Sequence, residues 1–137
     1  VCTAPAPDGY DVIMPGFWVD KGHADPKTLK YMESIKGKKV IPFFTLGAYP
    51  DSDHANKVFE DTKQRLTGGN NEVLGHFRCQ GKVDPKLLER MKQMSGTPHQ
   101  DSTERQARLT EAAKHPNEED CMAAAAFAVD TLKAVQA

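Results

Sequence analysis

The stretch Tyr10-Asp11-Val12-Ile13-Met14-Pro15-Gly16-Phe17-Trp18-Val19-Asp20-Lys21-Gly22 decides how this chain is read. An apolar strand over residues 10–14 runs into a loop with two glycines and the only tryptophan of the sequence. In open α/β sheets, ligands are gripped by loops that leave the carboxyl ends of the strands. A segment this apolar belongs inside a parallel sheet, yet only nine residues precede it.

Working outward, the rest of the chain alternates strand and helix. Asp25 followed by Pro26 is an N-cap with proline at the first helical position, and Leu29, Met32 and Ile35 recur at helical spacing up to a stop at Gly37. Residues 39–45 read as a second strand, with Pro42 either at a bulge or against the assignment, because proline cannot donate to a ladder. Ser52 or Asp53 caps a helix whose buried face carries Ala55, Val58, Phe59, Thr62 and Leu66, and Gly68-Gly69-Asn70-Asn71 ends it. A third strand over 72–79 precedes the Asp84-Pro85 helix start, a helix lined by Leu87, Leu88, Met91 and Met94, a loop over 95–102, and a helix over 103–114. A last helix, capped by Asn117, carries Met122, Ala125, Ala126, Val129 and Leu132 on its expected inner face. Strand–helix alternation of this kind is the pattern of a parallel sheet wrapped by right-handed crossovers.

The bulk numbers bound the function. With 137 residues, 39 % hydrophobic and 27 % charged, the chain suits one globular domain. A net charge of −1 and no basic stripe argue against nucleic acid. No apolar run approaches a bilayer span, and no signal peptide is seen. Cys2, Cys79 and Cys121 are sparse and lack metal-ligand spacing, which reads as reduced thiols in a cytoplasmic protein. The five histidines show no ligand spacing and read as surface groups, with His54 in the first turn of its helix at the ligand edge. Cys79 reads as a small buried hydrophobe rather than a redox thiol. Glu118, Glu119 and Asp120 complement a helix N-terminus.

The loops after the first two strands each offer glycine and a large aromatic: Gly16-Phe17-Trp18 in one and Gly47-Ala48-Tyr49 in the other, the latter following Thr45 at the strand end. If the strands are parallel neighbours, Trp18 and Tyr49 face each other across a gap for a flat ring. Offset stacking adds roughly 0.5–1.5 kcal/mol per ring pair, and the glycines admit backbone amides to the ring's polar edge. Ordinary packing of Trp18, turn geometry at the glycines and solvation of Asp20, Lys21 and Asp51 are the plain alternatives.

On "DVIMPGFWVDKG", "KKVIPFFTLGAYPDS", "NEVLGHFRCQGKVDP" and the closing helix after "HPNEED", the chain resembles the flavodoxin-like family over essentially its whole length. The resemblance implies a three-layer α/β fold, a parallel sheet with helices on both faces, binding FMN. Its implied cofactor contacts are Gly16, Phe17, Trp18, Thr45, Gly47 and Tyr49. It also implies electron transfer to a redox partner protein, a reductase or a terminal enzyme. The chain departs from the family in lacking the opening strand and the Ser/Thr- and Gly-rich phosphate loop. It is therefore expected to be an N-terminally truncated single domain over 1–137, in which FMN is absent if that loop is truly missing. The strand over 10–14 then becomes an open apolar edge through which copies of the chain can associate. Two other functions stay open: a flavin-dependent NAD(P)H reductase, and an interaction module without cofactor.

Overall fold

A computed structural model describes residues 4–94 and 103–136; Cys2, His99 and the expected loop over 95–102 lie outside them. Each of the three expected parallel strands is realised as two short strands joined by a break. The first comprises β1 (Val12–Ile13) and β2 (Gly16–Asp20), and β3 (His23–Ala24) folds back on β2. Helix α1 (Pro26–Glu33) leads to β4 (Lys39–Val40) and β5 (Phe43–Leu46). Helix α2 (Asp53–Thr67) then leads to β6 (Glu72–Val73) and β7 (Phe77–Gln80), followed by α3 (Pro85–Met94), α4 (Thr103–Ala112) and α5 (Glu118–Gln136).

The ladders run β1-β4-β6 and β3-β2-β5-β7, parallel throughout except for β3. Hydrogen bonds across the breaks join the two sets into one sheet. The Ile41 and Phe43 N–H groups donate to the Ile13 and Pro15 carbonyls at 2.9 and 3.0 Å, and Leu74 and Phe77 donate to Val40 and Pro42 at 3.0 and 3.1 Å. Pro42 sits opposite a bulge. Val40 pairs with Val73 and Phe43 with Phe77, so Leu74, Gly75 and His76 face only Ile41 and Pro42. The extra residue falls where proline has no N–H to offer.

The opening stretch needs a correction. Gly16-Phe17-Trp18 is not a loop; it is the start of β2, in register with Phe43-Phe44-Thr45. The connection that follows is the two-residue turn Lys21-Gly22, with φ of 52° and 87° and Asp20 paired to His23. Positive φ at both positions matches the right-handed twist of a hairpin, which is why the strand continues and reverses here. Strand β3 thereby covers the outer side of β2, whereas the outer side of β1 carries no strand among the described residues.

Side chains alternate across the strands. Phe17, Phe44 and Arg78 point to the face packed by α2, where Phe17 stacks on Phe44 at 4.9 Å and Arg78 reaches Asn56 at 2.7 Å. Gly16, Trp18, Phe43, Thr45, Phe77 and Cys79 point to the other face, where Phe127 of α5 meets Phe77. The sheet thus has helices on both faces. Ile13, Phe17, Met32, Ile35, Val40, Phe44, Leu46, Val58 and Leu66 form the core.

Several local expectations hold. Asp25 accepts from the Thr28 N–H and hydroxyl, Ser52 caps α2 through the Ala55 N–H, and Ala55, Val58, Thr62 and Leu66 are buried. The inner face assigned to α5 is wrong: Met122 is 66 % exposed and Val129 50 % exposed, because the helix is rotated to seat Phe127 against Phe77 and Gly75. His76 is no surface group either, since it stacks on Phe59 at 3.7 Å, and burial, with help from Arg78, lowers its pKa.

Phe17→Ala is expected to cost about 3–5 kcal/mol in urea unfolding. Gly16→Ala, whose Cβ would lie 2.3 Å from the Phe43 ring, is expected to cost only about 1 kcal/mol, because that ring is half-exposed and can swing outward. A Phe17→Ala loss no larger than that of Gly16→Ala would remove the stack from the core.

Candidate functional site

The carboxyl ends of β2, β5 and β7 and the segments that follow β5 and β7 enclose two adjoining cavities. One, of about 390 Å³, is lined by Trp18, Val19, Thr45, Leu46, Gly47, Gly81, Lys82, Val83, Asp84, Lys86, Leu87 and Arg90. The other, of about 640 Å³, is lined by Gly47, Ala48, Tyr49, Ser52, His54, Val83, Leu88 and Met91, and by Glu104, Arg105, Arg108 and Leu109 of α4. Both volumes lie in the range of small-molecule pockets. Gly47 and Val83 border both cavities and divide them: a Cβ on Gly47 would lie 2.5 Å from Val83 Cγ2, so glycine is what lets the two segments touch.

Strand alternation places each expected residue. Trp18, on the face opposite Phe17, is 52 % exposed and forms a wall of the smaller cavity together with Thr45 and Gly47. Tyr49, 40 % exposed, lies beyond Gly47 in the larger cavity. Trp18 and Tyr49 therefore line different cavities rather than the two sides of one gap, contrary to the expected clamp. Phe17 is 7 % exposed and committed to Phe44, and Gly16 lies beneath the Phe43 ring, so both act through the sheet. His54 lies in the first turn of α2 and lines the larger cavity as expected.

Sequence reasoning missed the far wall, formed by the segment 81–84 with α3 and α4. That wall is pinned. Gly81 N–H donates to the Leu46 carbonyl at 2.8 Å, and Gln80 Nε2 donates to the Gly47 and Arg108 carbonyls at 3.1 and 3.3 Å. Lys82 N–H donates to the His115 carbonyl at 3.0 Å. His115 is itself held from two helices, with Nδ1 2.5 Å from Asp120 Oδ2 and Nε2 3.0 Å from Glu111 Oε1. Asp120 also closes a reciprocal cap with Asn117, each accepting the other's N–H at 2.9 Å. Asp120 first and Glu111 second raise the His115 pKa, and His115 in turn lowers that of Glu111. Burial works against Asp120, but the hydrogen bonds from His115 and Asn117 outweigh it and hold its carboxyl below the ordinary value. The surface role expected for His115 is thus replaced by a structural one, legible only once 111 and 120 are known to flank it.

The chemistry of the smaller cavity fits a flat, mostly apolar ring system with a polar edge, which Trp18 and Leu87 would cover and the backbone at Gly47 and Gly81 would meet. The N-terminus of α2 does not fit a phosphate, since Asp53 occupies its first turn, where an anion would otherwise be favoured. Cys79 is buried, chiefly for that reason its thiol is pushed up to about 11, and it stays protonated and inert at neutral pH. Among the described residues no group of His, Cys, Asp and Glu could hold a metal ion, and no helix is long and apolar enough to cross a membrane.

The flavodoxin-domain family matches residues 3–129. The flavodoxin-like domain-containing protein BilS of Clostridioides difficile (strain CD3) is 32 % identical over 123 residues, covering 88 % of this chain and 69 % of that protein. The protein of the same description from Clostridium symbiosum (strain WAL-14163) is 27 % identical over 135 residues, covering 90 % and 68 %. A solved flavoprotein in complex with FMN from Lactobacillus acidophilus NCFM aligns with a TM-score of 0.40 at 19 % identity, over 64 % of this chain and 53 % of its own, so the chain spans about half its length.

The His115 pin has a pH signature. A histidine raised above its ordinary 6.5 contributes stability that is fully present below that value and is lost as pH climbs through the raised one. The lowered carboxylates contribute above their ordinary 3.8 and 4.5, and that part is lost as pH falls through their lowered values. His115→Gln is therefore expected to lower Tm most between about pH 4.5 and 6.5, and progressively less as pH rises above that window. An equal loss at pH 5.5 and 8.5 would show that charge plays no part in the pin.

Proposed function

The chain belongs to the flavodoxin-domain family, and from that membership we propose that it is an FMN-binding electron carrier serving a partner redox enzyme. The observation that carries this reading is the cavity at the carboxyl ends of β2 and β5, where the half-exposed Trp18 ring and the backbone of Gly47 and Gly81 meet. Trp18 would cover one face of the ring, Thr45 and the glycine backbone would meet its polar edge, and Leu87 would exclude water from its other side. When bound, the flavin supplies the electron transfer; the protein supplies orientation and a low-dielectric setting. Tyr49 would shield the site from the neighbouring cavity, and the partner protein would dock over the rim that exposes Trp18 and Tyr49.

One observation favours a second reading, a flavin-dependent reductase. Because Trp18 and Tyr49 line different cavities, aromatics do not close both faces of a ring seated beside Trp18. The ring face that no aromatic covers then leaves room for a nicotinamide or another small substrate to lie against it.

Titration with FMN is expected to quench both Trp18 and flavin fluorescence. Trp18→Ala is expected to weaken flavin binding about 3- to 10-fold, in line with roughly 0.5–1.5 kcal/mol for one stacked pair. Gly47→Ala should weaken it further by pushing Val83 into the cavity. The carrier reading requires that the FMN-loaded protein exchange electrons with a chemical reductant yet oxidise NADPH no faster than free FMN; sustained NADPH oxidation would move the assignment to the reductase. The absence of any quenching with FMN would overturn both.

A further inference from the structure

The walls of the Trp18 cavity carry an uneven charge. Lys82, Lys86 and Arg90 line it, against the single carboxylate of Asp84. Asp84 is already engaged, its Oδ1 accepting the Lys86 N–H at 2.9 Å as the cap of α3. Among the described residues, none of the three cations makes an ion pair, whereas Arg65 and Lys114 elsewhere on the surface do. Their arrangement costs stability. Lys86 lies in the first turn of α3, which contains no acid, where the helix dipole disfavours a cation. Arg90 follows four residues later on the same helix face, a spacing at which like charges repel. An anion between them removes both costs. The N-terminus of α2 at this end of the sheet is acidic, with Asp53 in its first turn, so an anion is favoured beside α3 rather than beside α2.

We propose that Lys82, Lys86 and Arg90 form an anion-binding subsite that takes the phosphate or carboxylate of a flat small molecule whose apolar body lies against Trp18 and Leu87. Two sources share this chemistry: the phosphate of the flavin itself, and the acid group of a second molecule that exchanges electrons with it. The subsite deepens the flavin reading, but its recognition of an anion beside an aromatic body does not depend on that reading.

Trp18 is the only tryptophan, so its emission reports occupancy of the cavity directly. The probes are 4-nitrobenzoate, 4-nitrophenyl phosphate and the neutral 4-nitrobenzyl alcohol, each titrated against the wild-type chain and against Lys86→Gln/Arg90→Gln, two exposed helix positions whose change leaves the core intact. Both anions are expected to quench at least 10-fold more tightly than the alcohol, to lose that advantage in the double variant, and to weaken as salt is raised. Riboflavin and FMN, run in the same series, separate the sources. A preference for FMN over riboflavin that the double variant abolishes assigns the subsite to the flavin phosphate. An unchanged FMN affinity, with the anions still binding the FMN-loaded protein and the variant still weakening them, assigns it to a second molecule. If neither flavin binds, the nitro-compound series still tests the subsite, and only the flavin reading falls. Equal binding of alcohol and anions, or unchanged anion affinity in the double variant, would overturn the proposal.

Discussion

The stack of Phe17 on Phe44 is the contact from which the rest of this structure follows. It lies in the core between two parallel strands, and because side chains alternate along a strand, it sends Trp18 and Thr45 to the opposite face. A shift of one residue in register would bury Trp18 and expose Phe17. The glycine before Phe17 serves the same register, since only a residue without Cβ lets the Phe43 ring lie across the strand. One apolar contact thus determines which aromatic is core and which reaches the ligand.

Two prolines shape the sheet around that contact. Pro15 and Pro42 divide the strands, and the bulge at Leu74-Gly75-His76 absorbs the ladder bond that Pro42 cannot make. The bulge also turns His76 onto Phe59, where the half-buried imidazole serves as a packing ring. Beyond β7, the segment 81–84 closes the site, and its position depends on elements distant in sequence: Leu46 through Gly81, and α4 and α5 through Lys82 and His115. The wall of the cavity is therefore coupled to a charged pin on the far side of the same segment.

The electrostatics sort the two ends of the site. Asp53 makes the start of α2 unwelcoming to anions, whereas Lys82, Lys86 and Arg90 make the α3 side attractive to them. With a net charge of only −1 over the whole chain, this difference is local rather than global. Local charge of this kind orients a ligand within a cavity and has little effect on long-range encounter.

The sequence by itself determined the alternation of strands and helices, the caps at Asp25 and Ser52 and the inward stripe of α2, because each rests on short-range rules of periodicity and capping, and the family through a resemblance of whole motifs. It also singled out Trp18, Thr45, Gly47 and Tyr49 as residues at one end of the sheet. It misread Gly16-Phe17-Trp18 as loop, since a proline and glycine beside an apolar strand look alike whether the strand ends or is carried on by its neighbour. It chose the wrong face of α5, whose alanines leave both faces apolar until Phe77 claims Phe127. The separation of Trp18 from Tyr49, the pin at His115 and the cationic wall of α3 were decided only by tertiary structure. Each joins residues far apart in sequence, and no local pattern encodes which strand edge, carbonyl or carboxylate a folded chain will bring to meet them.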